Sequence, residues 1–213
     1  MAEGAARWAP RLIVLSDFGR LGLERTLERF SALAFAATPG SVLILLRDYE
    51  LPLATRLRIS ERLSVLTARA EQTFGLAERA DLARAVGARA LHLPGSGISA
   101  RDARAYLGEA VFLSRGYHAP ETEPEPEPEP DLDACLLSPI FEPRKGRPAL
   151  GVAALERTAL LPGARPALFA LGGVEAHNAA ACLSAGAAGV AVIGAALRPD
   201  PEPLLRALGI RRI

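Results

Sequence analysis

Two glycine-bearing segments near the carboxyl end of the chain have the composition of a phosphate site. Gly172 and Gly173 follow the apolar run 167–171, and Gly194 follows a second apolar run that ends at Ile193. Glycine lets the backbone approach a ligand closely, and free N–H groups at the start of a following helix attract an anion. The same glycines could merely turn tight corners. Because both segments carry the signal, we predict that Gly172, Gly173 and Gly194 bind a phosphate.

Arg47 and Lys145 are cations that could assist such a site. Arg47 directly follows an apolar run, and a guanidinium at that position can bind a carboxylate or a phosphate. It could equally form a structural ion pair with Glu78 or Asp17. Lys145 belongs to the basic loop 141–147, which either folds over a bound anion or remains a solvated loop.

Histidine is the side chain with a natural role in proton transfer near neutral pH. His118 lies in a polar loop after an apolar run, so it is the candidate catalytic acid or base. An ordinary exposed loop histidine would look the same in the sequence. His92 lies within another apolar run and is expected to be a packed, hydrogen-bonded core residue.

These residues need a scaffold that brings the ends of several strands together. Apolar runs typical of buried parallel strands alternate with segments whose apolar residues recur every three to four positions, as in helices. The eight runs are residues 12–15, 42–46, 73–77, 90–93, 110–114, 134–138, 167–171 and 189–193. Eight β–α units in 213 residues predict a small (β/α)8 TIM barrel, whose sites lie at the carboxyl ends of the strands.

One connection departs from this alternation of strands and helices. Residues 121–130 read ETEPEPEPEP, and proline at alternate positions excludes a helix. We expect an extended, flexible, solvated loop in place of helix 5. It is either a neutral spacer or an acidic docking site for a partner. The chain as a whole, residues 1–213, fits a single barrel domain.

The composition argues against several classes of function. The formal net charge of +1 gives no indication of binding to nucleic acid or to an anionic membrane. No apolar run reaches the roughly 18 residues of a membrane-spanning helix, and residues 1–10 lack the apolar segment of a secretion signal. Two cysteines are too few for a disulfide framework or a metal cluster. We therefore expect a cytoplasmic protein.

The chain resembles the thiamin-phosphate synthase/TenI superfamily from about residue 11 to residue 197. The segments that carry the resemblance are LIVLSD, VLILLRD, ERADLARAVGARALHLP, LLSPIFEPRKGRPALG and ALFALGGVEAHNAAACLSAGAAGVAVIGAAL. The resemblance implies a small eightfold barrel that acts on the phosphorylated thiazole and pyrimidine precursors of thiamin. It further implies contacts to the ligand from Gly173, Ile193, Gly194, Arg47, Ser114 and Lys145.

At several positions the chain departs from the pattern of the synthases, and these departures bear on which of the family's functions it has. The synthases carry Gln-Leu-Arg-x-Lys after strand two and Asn-Asp-Arg after strand three, where this chain has LLRDY and AER. The residues that are missing here would hold pyrophosphate and Mg²⁺. The loop LHLPGSGIS is more similar to the TenI branch. Some members of that branch are thiazole tautomerases with a catalytic histidine after strand five, a role that falls here to His118.

Three functions therefore remain open. The first is a TenI-like barrel that binds a thiazole phosphate and isomerises it through His118, with no metal and no other cofactor. The second is a thiamin-phosphate synthase that couples hydroxymethylpyrimidine pyrophosphate with thiazole phosphate and uses Mg²⁺. The third is a non-catalytic barrel that binds a phosphorylated ligand or a partner protein. The expected small-molecule partner is a phosphorylated thiazole or a thiamin-related compound, and the sequence is compatible with a homodimer.

Overall fold

Eight parallel strands form a closed barrel in which each strand pairs with its sequence neighbour and the last pairs with the first. The computed structural model describes residues 8, 10–95, 97–118, 129–144, 146–160 and 166–213. The strands are β1 (Leu12–Leu15), β2 (Val42–Leu46), β3 (Thr73–Ala77), β4 (Ala90–Leu93), β5 (Phe112–Tyr117), β6 (Ala134–Leu137), β7 (Ala167–Leu171) and β8 (Gly189–Val192). The prediction of a small (β/α)8 barrel is confirmed.

Helices connect most of the strands and cover the outside of the barrel. They are α1 (Leu23–Ala36), α2 (Leu53–Arg69), α3 (Ala80–Ala85), α4 (Ala100–Leu107), α5 (Val152–Ala159), α6 (Ala179–Ser184) and α7 (Glu202–Ala207), with a 3₁₀ turn at Ala195–Leu197. In α1 the buried residues Leu27, Phe30 and Ala34 recur at helical spacing, so one face packs on the barrel. Among the helices within the described ranges, none has the length and apolar character needed to cross a membrane.

The connection between β5 and β6 contains the Pro/Glu-rich segment. Residues 121–128 of that segment lie outside the described residues, so the predicted flexible loop stays a prediction over most of its length. Glu129 and Pro130 are described and are not helical. The helix that follows in the chain, α5, comes after β6.

β5 lies further along the chain than the apolar pattern predicts. The prediction was residues 110–114, whereas the strand is Phe112–Tyr117. Residues 115–117 extend the strand because they pair in register with β4 or with β6. Backbone pairing to two neighbouring strands outweighs the low strand preference of an Arg-Gly sequence. Ser114 therefore lies inside the strand and not at its end.

Alternate strand positions fill the interior of the barrel with apolar side chains. The larger of these buried residues are Ile13, Leu15, Leu43, Leu45, Phe112, Leu136 and Phe169. The other face of each strand packs under the helices, which explains why the strands read as continuous apolar runs. Gly189 leaves room for an aromatic ring, since a Cβ there would lie 2.6 Å from Cε1 of Phe169. The interior is a packed core, and a ligand must bind above it.

Trp8 packs across the amino-terminal end of the barrel. Its Nε1 donates a 2.7 Å hydrogen bond to the Gly40 carbonyl oxygen. Its ring meets Phe112 edge-on, with the centroids 5.5 Å apart. The indole therefore lies at the end of the barrel opposite to the carboxyl ends of the strands.

Candidate active site

A cavity of about 760 Å³ lies at the carboxyl ends of the strands. Within the described part of the chain, five arginines and two glutamates line it: Arg20, Arg47, Arg144, Arg147, Arg198, Glu142 and Glu175. An excess of positive charge in a concave site favours an anionic ligand.

The predicted phosphate-binding residues form one wall of this cavity. Gly172, Gly173, Ile193 and Gly194 all line it. The N–H groups of Gly173 and Gly194 donate no hydrogen bond to any other described residue. Backbone donors of this kind bind the oxygens of phosphate groups. The structure thus brings the four residues together as expected, and their contact with a phosphate stays a prediction.

Glycine is also required at Gly172 and Gly173 by the local packing. Their φ angles are 100° and 69°, in the region that favours glycine. A Cβ on Gly173 would lie 2.6 Å from Cγ of Glu142, because the loop after β6 crosses directly over it. The N–H of Phe141 in that loop donates a 2.9 Å hydrogen bond to the Gly172 carbonyl oxygen. The loop after β7 therefore provides both the tight turn that requires glycine and the open N–H group of Gly173.

The two glycine segments differ in how they meet the next helix. Gly194 directly precedes the 3₁₀ turn. After Gly173, however, α6 begins only at Ala179, so the Gly173 N–H belongs to a loop and not to the start of a helix. Asn178 stabilises that loop, since its side chain accepts a 2.8 Å hydrogen bond from the Glu175 N–H and donates a 3.0 Å bond to the Gly173 carbonyl oxygen.

Arg47 extends from the end of β2 into the cavity and is held against the end of β1. Its Nε donates a 3.2 Å hydrogen bond to the Ser16 carbonyl oxygen. Its Nη2 lies 3.7 Å from Oδ2 of Asp17, the same oxygen that accepts a 2.9 Å hydrogen bond from Nε of Arg20. Of the two expected structural partners, Asp17 is therefore the one that Arg47 meets. Arg20 lines the cavity beside it, although the sequence had given no reason to select that residue.

Buried hydrogen bonds of Asp48 fix the ends of β1 and β2 relative to each other. Asp48 is 3% exposed and accepts from the Ser16 hydroxyl and, at 2.8 Å, from the Phe18 N–H. The Ser16 hydroxyl oxygen in turn accepts a 2.8 Å bond from the Arg47 N–H. A buried carboxylate needs such partners. They hold the loop after β1, which carries Arg20, in one conformation.

His118, the predicted catalytic residue, lies exposed at the rim of the cavity and lines it. Its Nδ1 is 3.1 Å from the Ser138 carbonyl oxygen and 3.0 Å from the Ser138 Oγ. Because a carbonyl oxygen only accepts, this contact favours the tautomer that carries its proton on Nδ1. Nε2 is then the basic nitrogen, as a proton acceptor requires.

His92 lines the floor of the cavity, which the sequence analysis did not anticipate. It is hydrogen-bonded as expected, with Nδ1 3.0 Å from the Ser114 Oγ, but it is not simply a core residue. Burial, and secondarily the charges of Arg115 and Arg47, lower the pKa of His92 from 6.5 to about 4. The ring is therefore neutral at physiological pH.

Ser114, one of the predicted ligand contacts, does not line the cavity. Ser114 is fully buried, because β5 continues beyond it, and its partner His92 lines the cavity instead. Lys145 lies outside the described residues. The neighbouring Arg144 and Arg147 line the cavity and join in a tight turn through two mutual 3.0 Å backbone hydrogen bonds.

The sequence model of a protein family described as thiamine monophosphate synthase matches residues 22–196. The chain belongs to this family. A thiamine-phosphate synthase from Thermus thermophilus is 34% identical over 189 residues, which cover 87% of this chain and 88% of that protein. Another from Thermobifida fusca is 33% identical over 180 residues, which cover 83% of this chain and 82% of that protein. The predicted membership of the thiamin-phosphate synthase/TenI superfamily is confirmed.

The fold of this family member also occurs in a solved structure. A thiamine phosphate pyrophosphorylase from Pyrococcus furiosus matches with a TM-score of 0.76 and 22% identity, over 93% of this chain and 95% of that one. At this identity the match supports the fold alone. The relatives from Thermus and Thermobifida both carry the name of a synthase. They favour the synthase hypothesis over the tautomerase hypothesis that the loop LHLPGSGIS had suggested.

Magnesium is the metal that the family resemblance implies for a synthase, and the carboxylates of this cavity do not fit it. In the described part of the chain no three His, Cys, Asp or Glu side chains cluster as metal ligands do. Of the two glutamates that line the cavity, Glu175 is ion-paired with Arg198, which leaves Glu142. Beside the cavity, Asp17 is ion-paired with Arg20, and Asp48 is buried in hydrogen bonds. Mg²⁺ prefers an octahedron of oxygen ligands. These carboxylates are therefore not arranged as a protein-held magnesium site.

Proposed function

We propose that this protein is a thiamine-phosphate synthase that joins a thiazole phosphate to hydroxymethylpyrimidine pyrophosphate. Membership of the family and the names of its relatives support the proposal. The observation that carries it is one cavity of about 760 Å³ lined both by a glycine wall and by arginine side chains. Such a cavity has the size and the charge for two phosphorylated substrates.

The coupling forms one bond and breaks one. The thiazole ring nitrogen donates its electron pair to the methylene carbon of the pyrimidine, and the bond from that carbon to the pyrophosphate oxygen breaks. Pyrophosphate leaves with the electrons of the broken bond, and the thiazole nitrogen becomes positively charged. No proton has to be removed from the attacking nitrogen. The protein must hold the two substrates in line and stabilise the charge that develops on the leaving pyrophosphate.

The residues of the cavity suit these two tasks. The open N–H groups of Gly173 and Gly194 are assigned to the thiazole phosphate, since backbone donors bind its oxygens. Arg47 is assigned to the pyrophosphate, because a guanidinium binds phosphoryl oxygens in pairs. His92, neutral with its pKa of about 4, contributes a polar ring to the floor without adding charge.

A coupling assay tests the proposal. Purified protein is incubated with both substrates, and thiamin phosphate and released pyrophosphate are measured in parallel. Equal amounts of the two are expected. Arg47→Ala should lower kcat/KM about a hundredfold. Arg206→Ala, which removes an exposed arginine on α7, should leave kcat/KM unchanged. Binding of both substrates without any product would contradict the proposal and favour the non-catalytic barrel.

Thiazole tautomerisation is a second candidate, supported by one observation. His118 lines the cavity with Nδ1 held by Ser138, so that Nε2 is available to move a proton. Such a reaction would transfer a proton on a thiazole carboxylate phosphate and would require no pyrimidine substrate. Exchange of solvent deuterium into that compound, measured with wild type and His118→Ala, distinguishes it from coupling.

A further inference from the structure

Arg20 and Arg47 share one carboxylate at the side of the cavity, and we refer to them as the arginine pair. Oδ2 of Asp17 lies 2.9 Å from Nε of Arg20 and 3.7 Å from Nη2 of Arg47. The two guanidiniums come from the loops after β1 and β2, which buried Asp48 holds together. The pair is thus positioned before any ligand arrives.

The arginine pair retains unused hydrogen-bond donors. Each Nε has an acceptor, Asp17 for Arg20 and Ser16 for Arg47. Neither guanidinium donates a hydrogen bond from its Nη atoms to another described residue. The side chain of Arg47 is 27% exposed and that of Arg20 is 46% exposed, so these donors are open to the cavity.

The arginine pair also adjoins the glycine wall. Nη1 of Arg20 lies 3.4 Å from the position that a Cβ on Gly194 would occupy. Cationic donors therefore continue from the end of β8 to the end of β2. An anion held there would sit beside a phosphate bound at Gly194.

We propose that the arginine pair binds the pyrophosphate group of the pyrimidine substrate directly, without a divalent cation. The inference rests on the proposed function and deepens it. Among the described residues no three His, Cys, Asp or Glu side chains cluster as metal ligands do, and Asp17 and Asp48 beside the pair are already engaged, whereas the guanidinium donors are open. Two guanidiniums offer paired N–H groups and positive charge to the phosphoryl oxygens of the ligand. Arg20 becomes a substrate-binding residue on this proposal.

Titration calorimetry with inorganic pyrophosphate tests the proposal. The titrations are made in EDTA and again in excess Mg²⁺, with inorganic phosphate as a second probe. Wild type should bind pyrophosphate in EDTA and bind it more tightly than phosphate. Arg20→Ala and Arg47→Ala should each weaken binding about tenfold or more. Arg47→Lys should lie between wild type and Arg47→Ala, because lysine keeps the charge and loses the paired donors.

The control variant is Arg206→Ala, whose arginine pairs with Glu202 on the surface. Its pyrophosphate affinity should equal that of wild type. Thermal unfolding of every variant separates a folding defect from a lost contact, and Arg47→Lys keeps the test valid if an alanine variant does not fold.

Three results would overturn the proposal. The first is pyrophosphate binding that occurs only when Mg²⁺ is added. The second is binding in EDTA that neither alanine variant weakens. The third is phosphate binding as tight as that of pyrophosphate, which would make the pair a monophosphate site.

The coupling assay with and without EDTA keeps this proposal separate from the proposed function. Absence of thiamin phosphate under every condition would refute the synthase, while the pyrophosphate titrations would still decide the role of the arginine pair. Product formation that stops in EDTA, together with Mg²⁺-dependent pyrophosphate binding, would refute the metal-free site and leave the synthase standing.

Discussion

His92 and Ser114 are direct partners in the β4–β5 ladder, and Nδ1 of the histidine lies 3.0 Å from the serine Oγ. The contact orients the imidazole at the floor of the cavity. Because burial keeps the His92 ring neutral, the ring makes the floor polar without adding a positive charge there. An anion is therefore attracted to the arginines and not to the floor.

Acid should destabilise the protein through His92. Its pKa in the folded state is about 4, below the ordinary 6.5, so the unfolded chain takes up the proton first as the pH falls. The stability that the neutral ring contributes is complete above pH 6.5 and is lost progressively between pH 6.5 and about 4. His92→Gln should remove up to about 3 kcal/mol of this dependence, measured by urea unfolding across that window. His177→Gln, at an exposed histidine, should retain it.

Gly173→Ala should destabilise the protein and abolish binding of thiazole phosphate. The new Cβ would lie 2.6 Å from Cγ of Glu142, in addition to the strain of a φ of 69°. Gly87→Ala is the matched control, because Gly87 has a φ of 64° and nothing within 4 Å of its Cβ position. We expect losses of about 1–2 kcal/mol for Gly87→Ala and roughly 2–4 kcal/mol for Gly173→Ala. Equal losses in chemical denaturation would show that the contact with Glu142 is unimportant.

His118→Ala should separate coupling from proton transfer. Since coupling removes no proton from the thiazole nitrogen, kcat for thiamin phosphate formation should stay within about threefold of wild type. Any deuterium exchange into thiazole carboxylate phosphate should fall at least about a hundredfold, because it depends on the basic nitrogen. A hundredfold loss of coupling activity in a folded variant would instead place His118 in the synthase reaction.

Arg104→Ala should be among the most destabilising single changes. Arg104 and Asp133 are 4% and 5% exposed, and their charged atoms are 2.8 Å apart. Removing the arginine leaves a buried carboxylate without its counter-charge, at an expected cost of about 3–5 kcal/mol. Arg206→Ala breaks an exposed pair and should cost less than about 1 kcal/mol in the same unfolding experiment. A loss below 1 kcal/mol at Arg104 would mean that water reaches Asp133 once the arginine is gone.

The strands were predictable where both of their faces are buried. β1 and β2 have the bounds that their apolar runs predict, because the barrel interior and the helices each bury one face. β5 was placed wrongly because Arg115 and Gly116 have no intrinsic preference for a strand. They become strand residues only through pairing with β4 and β6, which are distant in sequence.

Residues of the site could be predicted where a short segment of sequence carries the signal without help from tertiary contacts. The glycines after β7 and β8 line the cavity as expected, and so does Arg47. His92 was missed because its neighbours look like core, although it is two residues beyond interior Ala90 and therefore faces inward. Arg20 was missed because its position depends on the tertiary contacts of Asp17 and its loop, for which no sequence pattern exists.

Trp8 is the single tryptophan of the chain, and it packs against Phe112 at the end of the barrel away from the cavity. The fluorescence emission of Trp8 therefore reports on the amino-terminal end of the barrel and should not respond to a ligand bound at the opposite end. A variant that no longer binds pyrophosphate but keeps the native emission has lost a binding contact, whereas a red shift shows that the barrel itself has opened. Trp8 fluorescence thus serves as an internal control for the folding of every variant that is substituted at the cavity.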